Sequence, residues 1–106
     1  MKSKKGIIGK KVIVRANAAG VHAGVVESFD PRSATVTLTG AYRLWRFYTR
    51  DKSGSVSDIA ANGLKPDGQH QIGAKLPSVT IVNPANGLEI AEMTNEAFQS
   101  IQNWVN

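Results

Sequence analysis

Residues 40–50 read GAYRLWRFYTR, which places three arginines and four aromatic rings within eleven positions. Guanidinium groups fork onto phosphate oxygens through two parallel bonds, and an aromatic face accepts the flat ring of a base, stacking being worth about 1–3 kcal/mol per base. The mixture therefore suits nucleotide binding, with Arg43 and Arg46 as phosphate contacts. The competing reading of Arg43, Arg46 and Arg50 is a solvated strand edge. Leu44 and Trp45 fit a protein core better than a ligand contact, although Trp45 also offers a ring for stacking.

Further polar residues fall around this segment in sequence. Arg15 closes an apolar run just before ANAAG, where small residues let a chain approach a ligand closely, and it reads equally well as a strand-end arginine in water. His22, between Val21 and Ala23, could donate to a phosphate or a ribose, or serve the fold. Asn17, His70 and Gln71 could read base or ribose edges from loops, or lie on the surface without such a role.

Catalysis finds little support. The chain has no cysteine and no Gly-x-Ser-x-Gly elbow, and its two histidines stand in different segments. No helical stretch spaces two metal ligands by four residues, and the carboxylates are scattered over turns and helix starts. The glycine pairs Gly6 and Gly9, or Gly20 and Gly24, match neither a Walker loop nor a dinucleotide fingerprint. The expectation is a binding protein with no catalytic residue, metal or cofactor, in which side chains hold any phosphate.

A length of 106 residues with 42% hydrophobic content fits one domain. Thirteen basic against eight acidic residues give a net charge of +5, which favours anionic partners. Lys2, Lys4, Lys5, Lys10 and Lys11 account for that excess, so residues 1–10 read as a flexible basic segment and residues 11–106 as a nearly neutral ligand-binding domain. With no cysteine there is no disulfide framework, and a reducing cytoplasm is the simplest compartment. No apolar run forms a signal core, and none approaches the roughly 20 residues of a membrane span.

The elements that must position these residues follow from periodicity. KKVIVRA, VHAGVVESF and ATVTLTG read as three strands of an antiparallel meander, with Gly24 a bulge or close-approach point. AYRLWRFYT is open between helix and strand, and its β-branched and aromatic flanks favour a fourth strand. SVSDIAANG predicts a short helix capped by Ser55 or Ser57 and stopped at Gly63, and residues 64–77 predict an exposed loop. SVTIV and LEIAEM predict a hairpin across NPANG. Thr94 then caps a final helix with Phe98, Ile101 and Val105 on one stripe. The fold class is α+β: a small curved antiparallel sheet with a short helix and a carboxyl-terminal helix.

Taken in order, KVIVRANAAGVHAGVVES, VTLTGAYRLWRF, SVSDIAANG and VTIVNPANGLEIAEMT resemble a group of small phage proteins, the anti-Thoeris sponges, over roughly residues 11–102. The resemblance implies a phage immune-evasion protein that sequesters cyclic ADP-ribose isomers made by bacterial TIR immune proteins, without cleaving them. Some members also look like binders of the cyclic di- and trinucleotides of other defences such as CBASS. It implies a homo-oligomer, dimers assembling into hexamers with pockets between protomers, in the cytoplasm of an infected bacterium. Arg15 matches the arginine that closes the family's first strand, and Arg43 the second of its Arg-Arg pair. Tyr42 replaces the first, and RFYTRDKSG lengthens the segment before the short helix. On this reading Arg15, Arg43 and Arg46 hold phosphates and Tyr42, or a partner's aromatic residue, covers a base. Two other readings stay open: a β-barrel-like single-stranded nucleic-acid binder, and a structural or host-interaction protein of a phage particle.

Overall fold

Val12 and Val14 alternate with Ile13 and Arg15 along strand β1 (Lys11–Ala16), as a strand buried on two unlike faces requires. In the computed structural model, which describes residues 6–16, 20–50, 55–82 and 88–105, β1 is the first strand of a meander in which β2 (Gly20–Asp30) lies between it and β3 (Thr35–Arg46). The sheet is completed by β4 (Gln71–Ile72), β5 (Leu76–Val82) and β6 (Leu88–Glu92), in the order β4-β3-β2-β1-β6, with β5 also on β3. Every pairing is antiparallel. Two helices, α1 (Val56–Asn62) and α2 (Asn95–Val105), complete the α+β fold. Just before β1, Gly9 N–H donates to the Val26 carbonyl at 2.8 Å and Val26 N–H to that of Lys10 at 3.0 Å, so residues 9 and 10 already lie against β2.

The third and fourth expected strands are one. β3 runs without a break through Gly40, whose φ of +55° would strain other residues. There the register with β2 passes from Thr39 opposite Val25 to Tyr42 opposite Ala23, so β3 carries one extra residue, a bulge. The bulge reverses the alternation of faces. Val36, Leu38 and Ala41 share one core, whereas Tyr42 and Leu44 belong to the other. Arg43 and Trp45, alternating from Ala41, therefore project on the Val36 and Leu38 side. Gly24 sits at this irregularity, and a methyl group there would come within 3.0 Å of Leu38 Cβ.

Each face has its own core. On one, Ile13, Val21, Ala23, Tyr42 and Leu44 pack beneath Ile59, Phe98 and Ile101 of the helices. On the other, Val12, Val14, Val26, Val36, Leu38 and Ile81 pack on each other with no helical residue among them, as a curved sheet allows. The short helix follows the expected pattern: Ser55 Oγ accepts from Asp58 N–H at 2.9 Å, and Gly63, at φ +81°, donates to the Ile59 carbonyl at 2.9 Å. Thr94 Oγ1 accepts from Ala97 N–H at 3.0 Å at the start of α2, while its own N–H donates to the Ala60 carbonyl at 3.0 Å. The two helices are thus stitched end to start.

The expected hairpin of SVTIV and LEIAEM does not form. β5 pairs with β3, and β6 pairs with β1, on separate margins of the sheet. The intervening turn at NPANG lies outside the described residues. Residues 64–77 are also more than an exposed loop: Gln71 and Ile72 pair with Arg46 and Leu44, and His70 is buried.

Candidate functional site

Past the Gly40 bulge, β3 carries apolar side chains toward the helices and Arg43 and Trp45 away from them. The Arg43 guanidinium carbon lies 3.8 Å from the centre of the Trp45 ring, a cation–π pair. Gly20 makes room for it: at φ +82° it lies beneath the guanidinium, and a methyl group there would sit 3.1 Å from Arg43 Nη2. Trp45 is 64% exposed, the reverse of the core position expected for it, while Leu44 is buried as expected. The bulge explains both outcomes, since it fixes which of two neighbours turns inward.

Opposite Arg43 on β2 stands His22, with Val14 on its other side in β1. The ring is buried and its Nδ1 has no hydrogen-bond partner. Burial, and then the Arg43 charge, push its pKa below the usual 6.5, so the imidazole is held neutral. A buried neutral ring behind Arg43 supports that arginine's position; its Nδ1 does not meet solvent.

Trp45 forms one wall of an open cleft of about 440 Å³, with Trp104 of α2 on the lining and His70, Gln71, Ile72 and Gly73 completing it. Gly73 N–H donates to the Arg43 carbonyl at 2.8 Å, fastening the β4 segment beside the arginine. Trp104 is 44% exposed, so the cleft carries two accessible indole rings. Gln71 offers an amide, and Arg46, its register partner on β3, is exposed.

His70 is a bracket for this cleft. Its Nδ1 accepts from Tyr48 N–H at 3.0 Å, which leaves Nε2 as the protonated nitrogen, donating to the Lys65 carbonyl at 3.0 Å. Both nitrogens are thereby engaged, which corrects the expectation that His70 reads a ligand edge. Its ring meets Trp104 edge to face at 4.9 Å between centres, and Gly68 packs so closely that a methyl group would come within 2.6 Å of it.

The remaining expected contacts separate. Tyr42 is buried, its ring against Phe98 at 6.2 Å between centres, so it has no face to offer a base. Arg15 shares the Ile13 face of β1, registered opposite Val21 and Glu89, and so lies across the sheet from Arg43. Asn17 lies outside the described residues. The apolar stripe of α2 does not single out Trp104; the signal the sequence holds for it is a large aromatic residue falling off that stripe. Among the described residues, no three His, Asp or Glu side chains converge as a metal site would need, and no helix is long and apolar enough to cross a membrane.

The fold and the cleft define a small α+β domain with an aromatic cleft at the β4 margin of an open sheet, between Trp45 of β3 and Trp104 of α2. Residues 9–101 match the family described as DUF6948, a domain of unknown function, and the chain belongs to that family. No curated protein and no solved structure matches it.

Proposed function

We propose that the protein is a non-catalytic nucleotide binder that sequesters cyclic nucleotide second messengers, cyclic ADP-ribose isomers or cyclic di- and trinucleotides, as a phage immune-evasion protein in the host cytoplasm. The observation that carries this reading is the exposed Trp45 ring, backed by Arg43 and lining a cleft with Trp104. A base stacks on the open face of Trp45, and the Gln71 amide hydrogen-bonds its edge. Phosphates take Arg43 and Arg46. An arginine already stacked on the indole gives up little freedom on binding an anion, which favours affinity.

Sequestration also accords with the groups around the cleft. Among the described residues no carboxylate lines it, and the histidine that does has both nitrogens occupied by backbone groups. A bound ligand meets donors and flat faces, and no poised general base. The choice of a cyclic second messenger, and the assembly into a homo-oligomer, rest on the sequence resemblance.

The test is to incubate the protein with cyclic ADP-ribose isomers, cyclic di- and trinucleotides and a short single-stranded RNA, remove free molecules by filtration, and identify what heat releases. Recovery of one intact cyclic nucleotide is expected. Recovery of RNA alone, with affinity falling steeply as salt rises, would instead identify a strand-binding protein, and altered products would identify an enzyme.

A further inference from the structure

Trp104 and His70 line a second cleft as well, of about 360 Å³, on which Arg50, Lys65, Ser100 and Asn103 also border. Leu64 and Pro66 contribute apolar lining, and Arg50 and Lys65 contribute two cations. Arg50 is fixed in place: its Nε donates to the carbonyl of Asn62, at the end of α1, at 3.1 Å. That bond uses one of the five N–H donors of a guanidinium and leaves its forked end for an acceptor. Lys65 Nζ pairs with Asp67, which is not part of the lining, and among the described residues the lining itself carries two cations and no carboxylate. The surplus positive charge, the Asn103 amide and an indole wall match a phosphate carried on a nucleoside.

We infer that this cleft is a second subsite, in which Arg50 and Lys65 hold a further phosphate of the ligand whose base stacks on Trp45. This rests on the nucleotide-binding reading above. Because Trp104 and His70 belong to both clefts, the two subsites adjoin, and a ligand with two phosphates can occupy both by passing over the Trp104 ridge. The favoured ligand class is then one with at least two phosphate groups, and a mononucleotide fills only the first cleft.

Calorimetric titration of the full chain with AMP and with the linear dinucleotide pApA separates the possibilities. The dinucleotide is expected to bind about tenfold more tightly, the size of one charge-assisted hydrogen bond. Arg50→Ala and Lys65→Ala should each remove most of that gain and leave AMP affinity unchanged. Arg50 also secures the end of α1, so the Lys65 variant, together with melting temperatures of both, distinguishes a lost contact from a loosened fold. Equal affinity for the two probes, or a gain that survives both substitutions, overturns the second subsite while leaving the first intact. Should Trp45→Ala leave AMP binding unchanged, the base-stacking reading fails instead, and an Arg50-dependent gain would then stand for an anion site alone. If neither probe binds the unsubstituted protein, the second subsite falls, and the sequestration reading is decided separately by the cyclic-nucleotide panel.

Discussion

The two halves of β3 do different work. Before Gly40, Val36 and Leu38 are buried while Thr35, Thr37 and Thr39 are partly exposed, and the strand is a structural member flanked by β2 and β5. After Gly40, Tyr42 and Leu44 anchor the helices while Arg43 and Trp45 face outward, Trp45 lining the cleft and Arg43 stacked on its ring. The same strand therefore serves the core in one half and a surface site in the other, and the difference arises from one extra residue. A register device, more than any motif, decides where Arg43 and Trp45 are displayed.

The strongest way to break that contrast is to delete Gly40. Without the bulge, Tyr42 and Leu44 would leave the helix core and Arg43 would enter it; a domain stabilised by only about 5–15 kcal/mol cannot absorb this, and thermal unfolding followed by circular dichroism should show no cooperative transition. Gly40→Val keeps the length of the strand and should cost about 1–2 kcal/mol, the strain of a left-handed conformation, read as a lower urea midpoint. Survival of the deletion with normal stability would show that the two halves are not coupled by the bulge.

Substitutions on either side of the second half should then divide stability from binding. Phe98→Ala, beneath Tyr42, should destabilise by about 3–5 kcal/mol as a large core truncation. Trp45→Ala should leave the urea midpoint nearly unchanged while lowering nucleotide affinity by about tenfold or more, from the loss of one stacking surface. A large stability loss at Trp45 would place that ring in the fold and not in a site.

The smallest effect should come from His22. Its folded pKa lies below the ordinary 6.5, so between those two values the unfolded chain binds a proton that the folded chain refuses. Stability is then full above about 6.5 and declines as pH falls toward the folded value. His22→Leu should flatten this part of the stability profile, and an unchanged profile would place the titration elsewhere.

How much of this was legible in the sequence depends on the range over which each feature is decided. Ser55, Gly63 and Thr94 are local signals, and the helices they bound were readable. The valine-rich alternation of β1 and β2 was equally plain. Gly40 ends the third expected strand in the sequence because glycine marks turns and bulges alike, and only the partner register tells them apart. That ambiguity extended to Trp45, whose exposure depends on the count of residues across the bulge. β4, with two residues, is too short to carry a period, and the choice of β3 and β1 as partners for β5 and β6 is made by tertiary packing. The composition of the arginine-aromatic segment could not reveal that Tyr42 faces inward, or that Trp104 from the far end of the chain joins Trp45 at one cleft.

The pairing of those two indoles has a spectroscopic consequence. They are the only tryptophans in the sequence, and both line the same cleft. Intrinsic fluorescence excited selectively at the indole band is therefore a built-in reporter of the cleft, with no label to attach, while far-ultraviolet dichroism follows the sheet. Quenching by a ligand, or an emission shift that precedes the loss of dichroism on heating, would register events at the cleft separately from the unfolding of the domain.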